Sequence, residues 1–482
     1  MYGHCKGWLA TALGLVMVLG GVVPACAGEL LSTLQDQQQV AVTIYDGNLA
    51  LVKDRRRVDL PAGESRLAIR EVSGGMMAET AMLQEPDGRG GLRVIEQSFD
   101  NDLLTPQKLL QHHVGKTVQV VRVHPQTGAE TLEPATVLAA VNGVVLRMGD
   151  RIETGIPGRL VFNEVPADLR DRPTLVVHLD SDRAGRRDLE LSYLTSGLTW
   201  STDYVAQLSA DEKSLELSAW VTLDNRSGSS YRDARLQLVA GEVNRVRRGG
   251  MERAAFDLRE TRSLAAAPAV AEEGLLDFHL YTLERPTTLA SNQSKQVALL
   301  AATRVPVRKE YRLQGREYYY RGQYGDLGER LRPDVFVEFD NRSEGGLGMP
   351  LPRGILSVYK NDRAGRSQFV GEDRIDHTAR NETVRLRLGA AFDVTARRTQ
   401  TDYKQLSAGP KDRLVETAYR IVLSNGGETD VTVNVVEPIS GDWQILQESQ
   451  RHTKLDARTA AWQVQVPADG EAQLTYRVRV RY

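Results

Sequence analysis

Apolar and polar residues alternate with a period of two along most of the chain. Every odd position of Leu215–Leu223 is apolar, and Leu474–Tyr482 places Leu, Tyr and Val on one side and Thr and Arg on the other. Because successive side chains of a strand point to opposite faces, this pattern predicts half-buried antiparallel strands. Turn signals such as Asn142-Gly143 separate the runs. The sequence predicts an all-β fold of two or three antiparallel β-sandwich units.

The spacing of these runs divides the chain into successive parts. An N-terminal β domain is expected over residues 28–190, with a small SH3-like barrel inserted at about 106–163. A central β-sandwich is expected over 191–320 and a C-terminal β-sandwich over 321–482. The Ala-rich, turn-poor segment 249–274 is expected to be a flexible insertion in the central sandwich.

The barrel prediction depends on closely spaced strands that follow one short helix. Thr105 is a candidate helix cap, and Pro106 suits the first helical turn. From Val114 to Phe162, four or five short runs with strand character are separated by tight turns. The alternative is that these strands extend the flanking sandwich.

The first 27 residues have the layout of an export signal. Lys6 precedes the apolar run Trp8–Val23, and small residues follow up to Ala27. We expect cleavage after Ala27 and a location in the periplasm or cell envelope. One alternative is an uncleaved anchor; another is a lipoprotein signal acylated at Cys26, which Pro24 fits badly.

Composition narrows the functional classes. The 482 residues carry a formal net charge of −2, which argues against a dedicated nucleic-acid binder. The two cysteines, Cys5 and Cys26, both lie in the predicted signal, so no disulfide and no thiolate metal site is expected in the mature chain. No later segment is apolar enough to predict a membrane span after signal cleavage.

One polar stretch is a candidate for chemistry. Gly371–Thr378 concentrates three carboxylates, an arginine and a histidine after a strand predicted to end at Val370. In an acid–base or ligand site, Asp376 would orient His377. The favoured interpretation is a charged β-loop, in which Asp373 and Asp376 accept turn hydrogen bonds. No H-E-x-x-H, G-x-S-x-G or phosphate-loop motif is present.

Other candidate residues have structural and functional interpretations. The neighbours His112 and His113 would diverge on a strand or helix, which disfavours a shared metal. A tyrosine cluster could stack on sugar rings or pack as strand residues; its members are Tyr311, Tyr318, Tyr319, Tyr320 and Tyr324. No catalytic, cofactor-binding or metal-binding residue is assigned, and no cofactor is predicted.

Three strands end in an asparagine followed by small or polar residues. The positions are Asn225, Asn341 and Asn425. They could form a repeated binding loop, but asparagine side chains also stabilise turns by bonding nearby backbone groups. The favoured interpretation is a repeated turn of related β-sandwich units.

Several separated motifs occur in an order that resembles a known family. They are Leu191–Tyr204, Leu236–Gly241, Pro350–Gly354, Phe369–Asp373 and Ala391–Val394. Together they resemble the bacterial envelope family described as domain of unknown function 4139, which includes mucoidy-inhibitor-A-like proteins. The resemblance covers roughly residues 190–482, and 42–57 also resembles the N-terminal strands of such proteins.

The resemblance implies an all-β, exported or envelope-associated protein with no established reaction, cofactor or catalytic residue. The predicted barrel is a difference, since many mucoidy-inhibitor-like members carry a long helical hairpin there. Two functions stay open. The favoured one is a non-catalytic envelope protein whose β-surfaces bind a protein or polysaccharide partner. The alternative is a β-rich hydrolase acting on envelope glycan or peptide, which two close carboxylates in a cleft would favour.

Overall fold

The computed structural model describes residues 29–86, 88, 90–166, 169–241, 243–244, 270–275, 278–409 and 412–482. The predicted signal peptide and most of the predicted insertion lie outside the described residues.

Strands account for most of the described chain, which confirms the predicted all-β fold class. The strands up to residue 195 are β1 (Leu30–Ser32), β2 (Gln37–Tyr45), β3 (Leu49–Leu60), β4 (Gly63–Arg70), β5 (Met82–Gln84), β6 (Leu92–Asp100), β7 (Thr117–Val123), β8 (Glu130–Ala139), β9 (Val145–Met148), β10 (Arg151–Thr154), β11 (Arg159–Val161), β12 (Thr174–Ser181) and β13 (Gly185–Thr195). The following strands are β14 (Leu198–Leu208), β15 (Ser214–Asn225), β16 (Tyr231–Ala240), β17 (Val270–Leu275), β18 (Phe278–Leu283), β19 (Thr287–Leu289), β20 (Gln293–Gln314), β21 (Asp326–Leu331), β22 (Asp334–Asp340), β23 (Gly354–Asn361), β24 (Ser367–Ile375), β25 (Thr383–Ala390), β26 (Val394–Gly409), β27 (Asp412–Asn425), β28 (Val431–Pro438), β29 (Asp442–Glu448), β30 (Thr453–Asp456), β31 (Thr459–Val466) and β32 (Gly470–Arg481).

Helical structure in the described chain is short. Helix α1 (Pro106–Gln111) begins as predicted, with the Thr105 side chain accepting a 3.2 Å hydrogen bond from the Lys108 amide. Three 3-10 segments cover Ala78–Thr80, Glu317–Arg321 and Ser343–Gly345. In the part of the chain that the structure describes, no helix is long and apolar enough to cross a membrane.

The first of two compact units comprises residues 29–36, Arg57–Glu71 and Glu85–Asp188. One of its sheets has the order β1-β4-β12-β6. A second, antiparallel sheet has the order β10-β9-β8-β7-β11 and a separate apolar core that includes Leu110 of α1. This sheet occupies the residues for which the small barrel is predicted. Its closure into an SH3-like barrel stays a prediction.

The second unit comprises Gln37–Arg56, Val72–Gln84 and Leu189–Tyr482. One sheet runs β24-β23-β14-β15-β20-β28-β31-β30, and β22 joins it by pairing with β20 and β25. A five-stranded sheet has the order β21-β26-β27-β32-β29, and another sheet includes β17-β18-β16-β2-β3. A core rich in valine and aromatic residues, with Trp462, Tyr419 and Tyr476 fully or nearly buried, lies among β20, β26, β27, β28, β31 and β32.

Two details differ from the sequence-based plan. The boundary expected between residues 320 and 321 does not separate two sheets, because β14 pairs in parallel with β23 and β20 pairs with β28. The predicted flexible insertion ends in a strand, since β17 pairs with β18 along Val270–Leu275. Main-chain hydrogen bonding to a neighbour forms this strand, although its side chains have little β character.

Candidate functional site

A cavity of about 330 Å³ opens in the second unit, where strand ends and turns meet. Its lining combines aliphatic and aromatic side chains with one ammonium, one carboxylate and several hydroxyl and amide groups. The lining residues are Lys309, Tyr311, Val335, Ala390, Ala391, Phe392, Asp393, Val394, Asn425, Gly427, Thr429 and Val431. A concave site with an apolar floor and a few polar groups is the usual form of a ligand site.

Phe392 stands at this cavity with 79% of its surface exposed. The turn between β25 and β26 is held at both ends: the Ala391 amide donates to the Pro333 carbonyl at 2.8 Å, and the Asp393 carbonyl accepts from the Gly426 amide at 2.8 Å. Ala391 and Val394 face the core, so Phe392 is directed outward. The Arg332 guanidinium lies 5.6 Å from the centre of the Phe392 ring, and the rest of the exposed ring is available for a ligand.

Asn425 forms another wall of the cavity, and both its side-chain nitrogen and its side-chain oxygen already have hydrogen-bond partners. Its side-chain amide donates to the Thr429 carbonyl at 2.9 Å and to the Pro467 carbonyl at 3.1 Å, and its Oδ1 accepts from the Gly427 amide at 2.9 Å. The Gly427 carbonyl accepts from the Asp469 amide at 3.0 Å. Both main-chain groups of Gly427 are therefore engaged, which leaves the side chains of this wall as the groups that can recognise a ligand.

Lys309 and Tyr311 supply a charged group beside an aromatic ring. The Lys309 ammonium lies 2.8 Å from a Glu212 carboxylate oxygen and 5.1 Å from the Tyr311 ring centre. Burial alone would lower the pKa of Lys309, but the Glu212 and Tyr311 interactions raise it above the usual value. Lys360 also contacts Glu212, so this carboxylate neutralises part of the local positive charge.

Asp393 is the one carboxylate among the residues that line the cavity. No hydrogen bond or ion pair joins its side chain to another described residue, and the side chain is exposed. Together with Thr429 and Tyr311 it provides groups that can bind hydroxyls, while Phe392 provides an apolar face. This combination suits a ligand that has both hydroxyl groups and an apolar surface.

The prediction that Gly371–Thr378 forms a loop is wrong for its first five residues, which belong to β24, whereas Asp376 and His377 follow the strand. β24 continues to Ile375, because its backbone pairs with β23 as far as Gly354. Asp373 accepts hydrogen bonds from the amides of Arg374 at 2.8 Å and Arg387 at 2.7 Å. Asp373 therefore accepts backbone hydrogen bonds from residues of β24 and β25, and not from the amides of a turn as predicted.

His377 contacts Asp46, a residue that the sequence analysis did not connect with it. His377 Nδ1 accepts from the Arg353 amide at 3.2 Å, and Nε2 lies 3.8 Å from Asp46 Oδ2. Arg353 also donates to Asp46 Oδ1 at 2.7 Å. Burial lowers the pKa of His377, and Arg353 acts in the same direction against the opposing effect of Asp46. Both ring nitrogens face protein groups, which supports a structural role for His377.

The three repeated asparagines are buried and make similar bonds. Asn225 donates to the carbonyls of Ser229, Leu289 and Ala290, and Asn341 donates to those of Met349 and Ala379. Like Asn425, each accepts a backbone amide at Oδ1. Each of these side chains therefore joins the end of its strand to backbone carbonyls of another segment by hydrogen bonds. These contacts support the structural interpretation of the repeat.

The predicted tyrosine cluster is divided by the fold. Tyr319 and Tyr320 are buried, whereas Tyr318 and Tyr324 are each 46% exposed and their rings lie 5.6 Å apart. Tyr311 lines the cavity. Only part of the cluster can therefore meet a ligand.

The adjacent histidines have different environments. His112 Nε2 lies 3.0 Å from Asp102 Oδ2, while His113 Nδ1 lies 2.7 Å from the Leu109 carbonyl and its ring packs on Phe162. They do not form a common site.

A fully buried ion pair was missed by the sequence analysis. Arg398 and Glu437 have no exposed side-chain surface and approach to 2.5 Å, and Tyr320 donates to Glu437 at 2.8 Å. Burial raises the pKa of Glu437 despite the opposing effect of Arg398. Val394, Ala396 and Arg398 occupy alternate positions of one strand, so the alternation alone could have predicted that Arg398 points inward. The pair lies in the core and does not line the cavity.

Two further acidic residues, Glu310 and Glu338, lie close together on β20 and β22. Burial would raise the pKa of Glu310, but hydrogen bonds from Asn434 and Arg312 lower it overall. Glu338 is paired with Arg385. Glu310 thus forms an ion pair with Arg312 and Glu338 with Arg385, and neither carboxylate lines the cavity.

The fold is that of an all-β protein, and its second unit has a cavity lined by apolar and polar side chains. The chain belongs to the family described as Domain of unknown function (DUF4139), whose sequence profile matches residues 189–482. The resemblance to this family is confirmed; the mucoidy-inhibitor likeness stays a prediction. A comparison with curated proteins gives no match. The matched region contains the cavity and the motif Ala391–Val394 that lines it.

Proposed function

We propose that this chain is an exported, non-catalytic protein of the cell envelope that binds a polysaccharide at the Phe392 cavity. The observation that carries the proposal is the Phe392 ring, 79% exposed at a cavity that also holds the Asp393 carboxylate. A sugar ring has an apolar face that packs on an aromatic side chain and hydroxyls that bind carboxylates and other polar groups.

A polysaccharide is favoured over a peptide because several main-chain groups at the cavity already have backbone partners. The carbonyls of Asp393 and Gly427 and the amide of Ala391 all have backbone partners. Strand addition, the common mode of extended-peptide recognition, uses free main-chain groups at a sheet edge. A cavity that recognises through side chains fits a glycan better.

Binding without catalysis is favoured because the cavity has a single carboxylate. Most glycoside hydrolases act with two carboxyl groups that flank the scissile bond. Asp393 has no such partner among the lining residues, and Glu310 and Glu338 are matched by arginines. The alternative, a hydrolase of envelope glycan or peptide, would need a second acid to enter the site.

Export is supported by the sequence around Lys6, Trp8–Val23 and Ala27. Envelope placement and the mucoidy-inhibitor likeness rest on the family motifs. N-terminal sequencing of the native protein should find a chain beginning after Ala27. A chain that retains Trp8, or that begins at a lipidated Cys26, would contradict the proposed export route.

The binding proposal is tested with polysaccharide extracted from the envelope of the producing cells and freed of protein by protease. Phe392→Ala should weaken binding in titration calorimetry by about tenfold, the equivalent of roughly 1.4 kcal/mol. Tyr318→Ala is the matched control, since it removes an exposed ring outside the cavity and should leave affinity unchanged.

Three outcomes separate the alternatives. Equal affinities of Phe392→Ala and wild type would overturn the cavity assignment. Release of new reducing ends during incubation would favour the hydrolase. Co-purification of an envelope protein that Phe392→Ala abolishes, without polysaccharide binding, would favour a protein partner.

A further inference from the structure

A row of three exposed side chains and one half-buried tyrosine crosses four neighbouring strands of the large sheet in the second unit. We call it the diagonal stripe; it consists of Trp220 on β15, Val205 on β14, Tyr359 on β23 and Phe369 on β24. Trp220, Val205 and Phe369 are 43%, 41% and 56% exposed, and the Tyr359 and Phe369 rings meet edge to face at 5.6 Å.

The strand register places these side chains on one side of the sheet. Asp203 is opposite Trp220 and two residues before Val205. Ser357 is opposite Val205 and two residues before Tyr359. Because side chains two residues apart share a face, the first two steps of the stripe are diagonal contact positions between adjacent strands. Phe369 is directly opposite Tyr359.

Polar groups flank the stripe on the same side. The Thr222 hydroxyl donates to Asp203 at 3.2 Å, and the Ser357 hydroxyl donates to Glu372 at 3.3 Å. Arg374 adds one positive charge beside these two carboxylates. Apolar rings interrupted by hydroxyls and carboxylates favour a ligand rich in hydroxyls, and the absence of excess positive charge in this set disfavours a polyanion.

Three of the four strands under the stripe offer no edge for the addition of a peptide strand, and the area of the stripe is small for a second copy of the chain. β23, β14 and β15 each have hydrogen-bonded neighbours on both sides, whereas β24 is the end strand of this sheet. The exposed parts of the four side chains amount to an area on the order of 300 Å², given 150–250 Å² for a whole aromatic side chain. A stable dimer needs about 800 Å² from each partner.

At its β24 end, the stripe runs toward the cavity. Asp373 accepts a hydrogen bond from the Arg387 amide, and a Cβ built on Gly371 would lie 2.6 Å from the Leu388 carbonyl. β24 and β25 therefore run in opposite directions here, so that residues earlier in β24 are matched with residues later in β25.

Continuing in that direction brings Phe369 toward Ala390, the last residue of β25. Ala390 lines the cavity and precedes Phe392 by two residues. Extending these two contacts along the strands leads from Phe369 to the end of β25, which Phe392 follows by two residues.

We propose that the diagonal stripe binds a second, extended segment of the polysaccharide whose other segment occupies the cavity. The inference rests on the proposed function and adds that the ligand is a long, uncharged chain held at two places. Linked contacts raise the affinity of long chains relative to short ones, because the second contact forms within one complex.

The test compares fragments of one polysaccharide, cut by partial acid hydrolysis and separated by length. Fragments of two or three sugars and fragments of about ten or more are titrated into the full mature chain by calorimetry. Wild type should bind the long fragments at least about tenfold more tightly than the short ones. Trp220→Ala and Phe369→Ala should remove this gain and leave the affinity for short fragments unchanged.

Controls distinguish the two proposals. Phe392→Ala should weaken the binding of both lengths, whereas Leu455→Ala, which removes an exposed side chain of β30, should change neither. Trp220→Phe should restore most of the length dependence that Trp220→Ala removes, and thermal melts should show that all variants fold.

Equal affinity of wild type for long and short fragments would overturn the stripe proposal while the cavity proposal stands. A length dependence that survives Trp220→Ala and Phe369→Ala would overturn it as well. If no fragment binds to the wild type, the proposed polysaccharide binding is wrong, and the stripe proposal is overturned with it. A dimer in sedimentation that Trp220→Ala dissociates would assign the stripe to a second copy.

Discussion

Replacing Asn225 by alanine should destabilise the second unit strongly, although the residue belongs neither to the cavity lining nor to the diagonal stripe. The Asn225 side chain is fully buried after β15. Its amide nitrogen lies 2.8 Å from the Ser229 carbonyl, 3.2 Å from Leu289 and 3.0 Å from Ala290. Its oxygen accepts from the amide and the hydroxyl of Ser227 at 3.1 and 2.7 Å.

The expected magnitude follows from these contacts. The two N–H groups of Asn225 donate to backbone carbonyls, and its oxygen accepts from two donors of Ser227. Each such hydrogen bond contributes roughly 1 kcal/mol net, and its loss leaves a buried group without a partner. Asn225→Ala should therefore lower the free energy of unfolding by about 3–4 kcal/mol.

Urea unfolding followed by tryptophan fluorescence measures this loss. Four of the five tryptophans lie in the second unit, and Trp8 lies in the predicted signal. Asn361→Ala is the control, since Asn361 is exposed and a surface substitution usually changes stability by less than about 0.5 kcal/mol. A loss below about 1 kcal/mol for Asn225→Ala would refute the argument that the repeated asparagine is a structural clamp.

Three further predictions concern other described features. Arg398→Met should cost about 3–5 kcal/mol, because it leaves the Glu437 carboxylate unpaired in the core, and adding Glu437→Leu should recover most of this loss in urea melts. A double variant no more stable than the single one would contradict this. Because the pKa of folded His377 is lowered, the unfolded chain binds more protons near pH 6, so stability should rise from about pH 5 to 7. His377→Gln should flatten this rise; identical slopes would exclude His377 as its source. On mild alkaline incubation, Asn142 should deamidate before Asn425, because Asn142 is exposed and precedes Gly143, whereas the side-chain amide of Asn425 is hydrogen-bonded. Peptide mapping measures the order, and the reverse order would show that burial does not protect Asn425.

Strand positions and inward faces could be predicted because they depend on local alternation. The odd positions of Leu215–Leu223 are buried as expected, and Thr105 caps the one α-helix of the described chain. The same alternation would have placed Arg398 inside, but it carries no information on the residue opposite. Glu437 is on a strand that comes much later in the sequence.

The candidate site could be predicted only in part. The motif Ala391–Val394 was recognised, yet the outward direction of Phe392 depends on hydrogen bonds to Pro333 and Gly426. Similarly, the neighbour Asp376 was the natural local partner for His377, whereas the fold brings Asp46 to it. Contacts between distant segments are set by sheet order, which alternation does not specify.

The length of β20 has a consequence for how the second unit forms during synthesis. Its first half pairs with β15, which is made earlier, and its second half pairs with β22, which follows soon after. Its parallel partner β28 is made more than a hundred positions later. Until then one edge of β20 stays open to other chains, a known hazard for aggregation. Such non-local pairing also slows folding, so a chain shortened before β28 should aggregate where the whole chain remains soluble.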